Sequence, residues 1–599
     1  MRRDLLNSLV SIVKATVTLS ALIGATLLSA PSAWAQQPNA TNTQQPRRPR
    51  AQTRRTERKK IKLIDSLKGT VETGFRFREV DGDRPGKFEE NREVPKSVFV
   101  RSFHLNFDTV DSPFFVDLKA LEIGERDQRY SAEVERVGKF RTEIMWDQMP
   151  KYYSFGRTFH LAAADGLLVV NPDIRARLQA APNSSAVPSL IGPQFPAVVR
   201  QEVQSQATIN LRTRADQFLV RQWYRPNQNW EFYFRAQHLR RSGTRPRPTG
   251  TFANENTGPN GDVVWEALGV ELPEPTEYRT TNFTLGVQYS RPKWRVGVDY
   301  NLSLFRNSIA SLTWENPFRV TDALAVSPAF NNGRNRFVRA QLALPPDNEF
   351  HSISVHGSVD LPHETQLRGA VSWGRGTQDE PFLPYTLNSA MTSANLLPGQ
   401  PQLFILPPPQ PSLNGEVNTL NQDYVLATKP WKNMRFLLQY RSNDKDNQTP
   451  VIVFPGLPAF GDSGVRTPID FYNLLIENFP SSYIRQNSTA TWEWDPRKNV
   501  SLELEYEWEI WHRTFREAAR TNEHSVHGKL GYKPKPGYAL KADYLYSIRK
   551  PRFYLTQPLI FDPTVSGGSW VTRPTTIFIE GLREEFNQLR RFDENNRIR

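Results

Sequence analysis

The sequence predicts an all-β protein, a large antiparallel transmembrane β-barrel whose C-terminal side is expected to be incomplete. Three observations lead to this prediction. The chain begins with an export signal, its later segments alternate between apolar and polar residues, and tight proline turns alternate with long loops. Successive side chains of a strand point to opposite faces, and a barrel wall in a bilayer needs one apolar and one polar face.

Residues 1–35 have the composition of a secretory signal peptide. Positively charged residues precede an apolar run from 15 to 30, and the triplet AWA at 33–35 forms an A-x-A cleavage site. The apolar run is short for a membrane anchor, and the cleavage site is well placed. We therefore expect export and cleavage after Ala35.

Residues 36–68 are predicted to form a disordered, basic N-terminal tail in the periplasm. Nine Lys and Arg between Arg47 and Lys62 against Glu57 give this stretch +8 of the formal net charge of +14. The tail lacks apolar periodicity. A solvated leader is favoured over contact with an anionic partner or with lipid headgroups. Nucleic acid is not an expected partner of an exported protein.

Residues 69–599 are predicted to form the barrel. In SLELEYEWEI, residues 501–510, four glutamates alternate with aliphatic and aromatic residues. In a soluble sheet the apolar face would pack on a protein core, whereas in a barrel it would contact lipid and the acidic face would line a hydrated lumen. The candidate lumen-facing stripe comprises Glu503, Glu505, Glu507 and Glu509.

The composition favours the barrel over a soluble periplasmic β-protein, the structural alternative. Mean hydropathy is −0.57, and no apolar run after the signal approaches the roughly 18 residues of a spanning helix. A helical membrane protein is therefore excluded. The chain has no cysteine, so a disulfide framework and a C-x-x-C-H haem attachment are excluded. Tryptophans near strand ends indicate an interfacial aromatic girdle: Trp146, Trp223, Trp230, Trp294, Trp431, Trp492 and Trp494.

Proline marks the tight turns, because it fixes φ and cannot donate within a paired strand. The turns are VDSPFF (110–115), YRPNQNW (224–230), SRPKWRV (290–296), DLPHETQL (360–367), TKPWKNMR (428–435), WDPRKNVS (494–501) and YKPKPGYA (532–539). The predicted long loops are 148–207, 242–278, 308–349, 376–417 and 443–481. Bacterial barrels place short turns in the periplasm, so we expect a periplasmic N-terminus in the outer membrane.

The pattern gives about 17 strands up to Tyr546, and the residues after Ser547 are predicted to be loop. Closed bacterial barrels have an even number of strands, and an open edge in lipid leaves backbone groups unpaired. We therefore expect that the chain is C-terminally incomplete or that other strands close the barrel.

No pattern of catalytic or metal-binding residues stands out. NDKDNQ, with Asp444, Asp446 and Asn447, lacks the Gly and distal Glu of an EF-hand, so a solvated loop is favoured. Three histidines with no standard metal-site spacing are favoured as ordinary wall residues: His512, His524 and His527. Walker, G-x-S-x-G and H-E-x-x-H motifs are absent. We predict a non-enzymatic protein with no catalytic residue, no metal ligand and no covalently bound cofactor.

Several phrases resemble the MtrB/PioB family of outer-membrane barrels and together cover most of residues 69–599. They are YRTTNFTLGVQYS (278–290), SIASLTWENPF (308–318), LALPPDNEFHSISVHGSVDLPHETQLRGAVSWG (342–374), QDEPFLPYTLN (378–388), LNGEVNTLNQDYVLATKPWKNMRFLLQYRSNDKDNQTP (413–450) and LRRFDENNRIR (589–599).

The resemblance implies a sheath or conduit for a periplasmic multihaem c-type cytochrome in electron transfer across the outer membrane. Haem c is then expected only in the partner, and the glutamate stripe would complement the charge of this guest. Two departures stand out: the cysteine pair of some relatives is absent, and the further strands that tend to follow LRRFDENNR in the family are not present. A general or substrate-specific diffusion porin is the alternative. A TonB-type receptor is disfavoured because residues 36–68 are too short for a plug domain.

Overall fold

The computed structural model describes the sheet-forming part of the chain. The described residues are 67–77, 79, 89–92, 94, 97–108, 112–164, 166–180, 195–257, 263–317, 339–384, 387, 408–454, 458–459, 464–465, 476–514, 518–554, 559–562, 569–572 and 595–598. The predicted signal peptide and nearly all of the basic tail lie outside these residues. The barrel was predicted from Gly69, and the first strand begins at Leu67.

The described residues form strands and two helices. The strands are β1 (Leu67–Arg76), β2 (Ser97–Asp108), β3 (Phe114–Ile123), β4 (Arg129–Arg136), β5 (Phe140–Gly156), β6 (His160–Ala164), β7 (Leu167–Val170), β8 (Ile209–Tyr224), β9 (Trp230–Thr257), β10 (Val263–Arg291), β11 (Trp294–Asn307), β12 (Ser311–Glu315), β13 (Arg339–Ala343), β14 (Asn348–Leu361), β15 (Thr365–Gln378), β16 (Gly415–Trp431), β17 (Met434–Asn447), β18 (Val453–Phe454), β19 (Pro458–Ala459), β20 (Gly464–Val465), β21 (Ile476–Glu477), β22 (Tyr483–Arg497), β23 (Val500–Arg513), β24 (Ala518–Tyr532), β25 (Leu540–Tyr554), β26 (Leu559–Asp562), β27 (Ser569–Thr572) and β28 (Asn595–Ile598). The helices are α1 (Pro172–Ala180) and α2 (Phe195–Ser205).

Eighteen of these strands form one antiparallel sheet. Each pairs with the next sheet strand along the chain, from β1 with β2 to β25 with β28, so the topology is a meander. Seventeen sheet strands run up to Tyr554, which agrees with the predicted count. The residues after Ser547 were predicted to be loop, but they also contribute β28, so the number of described sheet strands is even. β1 and β28 are the two edges, and no pairing joins them among the described residues.

The sheet has two chemically different faces, as the alternation predicts. On β23, Leu504, Tyr506 and Trp508 are 48%, 44% and 39% exposed. The same apolar face of β11 and β14 exposes Val298 and Val355. Apolar side chains this exposed do not pack beneath a second protein layer, so they are available to lipid. We call this the apolar face and the opposite one the polar face.

The seven predicted proline turns fall where strands meet. The turns between β10 and β11, between β16 and β17 and between β22 and β23 each leave only two residues outside the strands: 292–293, 432–433 and 498–499. Pro430 and Pro496 lie just inside β16 and β22, at irregular positions in the pairing where a ladder donor is not needed. These turns all lie at one end of the sheet, which we call the turn rim. The opposite end is the loop rim.

The predicted loop 242–278 is wrong: these residues form paired strands apart from 258–262, which lie outside the described residues. β9 and β10 pair from Trp230–Tyr289 to Thr257–Val263, with Pro246 opposite Pro273. β8 follows β9 only as far as Gly243. Beyond that point each strand has one neighbour, and proline is tolerated where its missing donor faces an unpaired edge.

Three further loop boundaries were placed too early. β5 continues to Gly156, β17 to Asn447 and β25 to Tyr554. Consequently Asp444, Asp446 and Asn447 belong to a strand rather than to a solvated loop. A barrel strand that extends beyond the lipid near the loop rim needs no apolar face there. The alternation of apolar residues in the sequence therefore ends before the hydrogen-bonded strand does.

Part of the predicted loops 148–207 and 308–349 is ordered into a loop cluster, comprising β6, β7, β12, β13, α1 and α2. β12 pairs antiparallel with β13 and parallel with β7, which in turn pairs with β6. Their core includes Leu272 of β10, which attaches the cluster to the extended hairpin. The buried apolar residues are Leu168, Leu272, Leu312, Trp314, Ala340 and Leu344.

We expect Trp314→Ala to loosen the loop cluster without disturbing the sheet. Trp314 is 2% exposed, and truncating a buried Trp costs about 3–5 kcal/mol. Hydrogen exchange should show lost protection in β7, β12 and β13. The heat-modifiable gel migration typical of barrels should stay unchanged.

Trp431→Ala at the turn rim is the control, because Trp431 is 61% exposed. It should leave protection in the loop cluster intact. Unchanged protection in the Trp314 variant would show that these loops are held by something other than this core.

Candidate functional site

The four candidate glutamates lie together on the polar face of β23. Each is half-buried and alternates with an apolar residue on the other face. The register places the stripe between β22 and β24, whose polar-face side chains lie beside it. The strand period of two therefore builds the stripe, and the neighbouring strands determine its electrostatics.

Two members of the stripe are neutralised by neighbouring cations. Glu503 pairs with Lys529 at 2.8 Å, and Glu509 pairs with Arg485 at 2.6 Å. Trp511 also donates to Glu509 at 2.7 Å.

The other two glutamates have neutral partners. Thr491 donates to Glu505 at 3.2 Å, and the Asn487 amide donates to Glu507. Within the described residues neither Glu505 nor Glu507 has a cationic group within 4.0 Å. The two central glutamates of the stripe therefore have no ion-pair partner among the described residues.

Ion pairs continue across the polar face on both sides of the stripe. Arg549 pairs with Glu523 at 2.5 Å on β25 and β24, and Arg441 pairs with Asp423 at 2.9 Å on β17 and β16. Farther along the sheet, Arg221 pairs with Glu143 at 3.2 Å. Such exposed pairs add little stability individually, but they make a continuous charged lining.

A hydrogen-bonded triad crosses the polar face from β9 to β14. The Tyr233 hydroxyl donates to Asp299, whose other oxygen lies 3.2 Å from Nδ1 of His356. Gly286 and Gly297 leave the space these rings occupy, because a Cβ at either position would collide with Tyr233 or His356. The triad has no signal in the sequence, because its members are at least 57 positions apart and only the register of the strands brings them together.

The three histidines that the sequence analysis considered do not converge. His524 lies on the apolar face, where Trp508 and Tyr506 stack on it at 6.0 and 6.2 Å between ring centroids. His527 lies on the polar face, 2.9 Å from Asp543. His512 is at the loop-rim end of β23. In the part of the chain that the structure describes, no group of three His, Cys, Asp or Glu could hold a metal ion.

The aromatic girdle needs one correction. Trp230, Trp294, Trp431, Trp492 and Trp494 lie near the turn rim on the apolar face, where Trp492 and Trp494 stack at 5.8 Å. Trp146 is on the apolar face but near the loop rim. Trp223 lies on the polar face opposite Arg141, with the guanidinium 5.8 Å from its ring. Trp223 lies near a strand end, as a girdle residue would, but the register places its side chain on the polar face rather than the apolar face.

A buried charge network holds the loop cluster together. Glu315 accepts from the Val170 amide at 3.0 Å and from Arg175 at 2.5 Å. Arg339 lies 3.4 Å from its other oxygen. The Glu315 carbonyl lies 2.9 Å from Nε2 of His160, which is 3% exposed. One residue of β12 thus ties together β6, β7, β13 and α1.

Burial controls the protonation of this network. Desolvation lowers the pKa of His160 from 6.5 to about 4, although the Glu315 carbonyl opposes the shift. Burial alone would raise the pKa of Glu315, but the Val170 amide and Arg175 outweigh it and lower the pKa. At neutral pH the cluster therefore contains a neutral imidazole and a charged carboxylate.

Fold and site together define a class of protein. A continuous antiparallel meander with an apolar face and an ion-paired face is the wall of a transmembrane β-barrel. Neither described helix is long and apolar enough to cross a membrane. The sequence profile described as "Putative outer membrane beta-barrel porin, MtrB/PioB" matches residues 80–596. The chain belongs to the MtrB/PioB family of outer-membrane β-barrels.

One curated relative is "Outer membrane protein MtrB" of Shewanella baltica (strain OS185). It is 23% identical over 180 residues, which are 30% of this chain and 22% of that protein. The match therefore spans about a fifth of the relative's length.

Solved structures of outer-membrane proteins are similar at a low level. The siderophore receptor PiuA from Acinetobacter baumannii has a TM-score of 0.36 at 10% identity, covering 84% of this chain and 66% of that chain. The ferric-catecholate import receptor Fiu from E. coli K12 has a TM-score of 0.31 at 12% identity, covering 76% and 66%. At these TM-scores the similarity supports no functional argument.

We expect the loop cluster to open as the pH falls from 6.5 towards 4. His160 titrates near 6.5 when unfolded and near 4 when buried, so the folded cluster loses stability across this interval. Protonation of Glu315 at lower pH acts in the same direction. Hydrogen exchange in β6 and β7, corrected for intrinsic rates, should show opening increase by about two orders of magnitude.

His160→Gln is the matched variant, because its amide keeps a donor for the Glu315 carbonyl but does not titrate. Its exchange should depend much less on pH between 6.5 and 4. If wild type and variant respond equally, His160 is not the titrating group.

Proposed function

We propose that this chain is the outer-membrane sheath of an electron conduit that holds a periplasmic multihaem c-type cytochrome. The observation that carries the proposal is membership of the MtrB/PioB family over residues 80–596. A soluble cytochrome cannot cross roughly 30 Å of hydrocarbon unaided. A barrel satisfies lipid with its outer wall and a polar guest with its inner wall.

The polar face is the proposed lumen wall and the contact surface for the guest. Glu505 and Glu507 are suited to attract a positive patch, because their hydrogen-bond donors are neutral and neither forms an ion pair with a described cation. Glu503 and Glu509 already have cationic partners and contribute less field. Charge complementarity of this kind sets encounter rate and register more than total affinity.

The proposal assigns all redox chemistry to the partner. The chain has no cysteine for covalent haem attachment. The barrel is non-enzymatic in this proposal: it positions and insulates the haem chain.

The orientation follows from the unequal rims. The turn rim would face the periplasm and the loop rim the exterior, as in other bacterial barrels. The N-terminal tail would then begin in the periplasm, on the side from which the cytochrome arrives.

A diffusion porin is the second candidate, favoured by the word porin in the family description. The two functions differ in what fills the lumen. A porin conducts ions without any haem protein, whereas a sheath is filled by its guest.

Co-purification from native membranes tests the conduit. The barrel should bring down a haem-staining protein, and Glu505→Gln with Glu507→Gln should lower the retained haem by about threefold to tenfold at low salt, roughly 0.7–1.4 kcal/mol. The effect should shrink as salt screens the charges.

The matched control is Asp444→Asn with Asp446→Asn, which removes two charges from the apolar face of β17. It should leave the haem content unchanged. A haem-free barrel that conducts ions in planar bilayers would favour the porin instead.

A further inference from the structure

Three neighbouring tight turns at the turn rim enclose a groove. They join β16 to β17, β22 to β23 and β24 to β25. The Asp495 amide donates to the Asn433 carbonyl at 2.9 Å, and the Lys533 amide donates to the Asn499 carbonyl at 2.8 Å. These backbone bonds fix the turns side by side around a space of about 720 Å³, which we call the rim groove.

The rim groove is strongly basic. Five exposed cations and one carboxylate, Asp495, line it, which leaves an excess of four positive charges. The cations are Lys432, Arg497, Lys498, Lys533 and Lys541.

None of these five cations forms an ion pair within the described residues. By contrast, two cations a few residues farther along the adjoining strands do form ion pairs: Arg435 with Glu493, and Lys529 with Glu503. Arg225 and Lys429 at the same rim also have carboxylate partners, Glu231 and Glu364. Five unpaired cations therefore line one groove, where together they suit an anionic ligand.

Exposed apolar side chains adjoin the groove. Trp431, Tyr538 and Leu540 are 61%, 70% and 63% exposed, and Leu540 itself lines the groove. Trp and Tyr favour the headgroup level of a bilayer, where lysine side chains extend towards phosphates. A soluble anion would need the charges alone, whereas a lipid would use both features.

We propose that the rim groove binds the phosphate of an anionic phospholipid, with its acyl chains lying against the apolar face. Four of the five cations neutralise the phosphate: Lys432, Arg497, Lys498 and Lys533. Lys541 instead lies on the polar face. Trp431 and Leu540 contact the glycerol and upper acyl region. Assignment to the periplasmic leaflet rests on the orientation in the proposed function. The binding site itself does not depend on that orientation.

Titration of the detergent-solubilised full chain with phosphatidylglycerol tests the proposal. Native mass spectrometry would count bound lipid for wild type and for the variant Lys432→Gln, Lys498→Gln, Lys533→Gln. The affinity of the variant for phosphatidylglycerol should be lower by roughly tenfold or more, because each basic residue near an anionic headgroup contributes to lipid affinity. Binding of zwitterionic phosphatidylcholine should be equal in both.

The matched control is Lys139→Gln, Arg225→Gln, Lys293→Gln, which removes three cations from the turns before β5, β9 and β11. It should retain wild-type affinity for phosphatidylglycerol. Unchanged heat-modifiable migration shows that each variant is folded. If the groove variant does not fold, wild-type binding must still weaken with salt for the proposal to stand.

Two results would overturn the proposal. One is equal phosphatidylglycerol binding by the groove variant and the control. The other is full displacement of the lipid by millimolar inorganic phosphate, which would make the groove a site for free phosphate. Haem co-purification from the same variants separates this proposal from the conduit. A groove variant that loses lipid but keeps haem supports the lipid site and leaves the conduit intact.

Discussion

Backbone hydrogen bonding in lipid is the constraint on which the rest of this structure depends. Hydrocarbon offers no partner to an amide or carbonyl, so each spanning strand must pair along both sides. The meander meets this demand for the sixteen sheet strands between β1 and β28, each of which pairs with both of its neighbours in the sheet. It also explains where proline occurs: in turns, at irregular strand ends, and in the part of β9 and β10 where each strand has only one neighbour.

Once the pairing is fixed, the strand period of two places alternate side chains on the apolar face and on the polar face, which contact different environments. The apolar face carries exposed aliphatic and aromatic residues, as on β23. The polar face joins residues from different strands into cross-strand pairs, such as Lys529 with Glu503. Glu505 and Glu507, by contrast, have neutral hydrogen-bond donors and no ion-pair partner among the described residues. The electrostatic potential at the polar face therefore depends on which acidic residues have no ion-pair partner, rather than on how many acidic residues the sequence contains.

The two rims solve different physical problems. At the loop rim, charges are buried in protein and paired: Glu274 is 0% exposed and is held by Arg245 at 2.6 Å and by Arg247. An unpaired charge there would carry a large desolvation cost. At the turn rim, the exposed lysines of the rim groove remain unpaired, because water or an anionic headgroup can solvate them. Buried ion pairs thus stabilise the loop rim, whereas the exposed cations of the turn rim remain available to an external ligand.

The sequence by itself determined the barrel class, the two-faced strands, the proline turns and the stripe from Glu503 to Glu509, because all of these are local periodicities. It could not place the loop cluster or the extended β9–β10 hairpin, whose prolines look like loop until their free edges are known. Only the tertiary structure paired Lys529 with Glu503, joined Tyr233 to Asp299 and His356, and turned Trp223 to the polar face. Those outcomes depend on inter-strand register, which joins residues far apart in the chain and has no local signature.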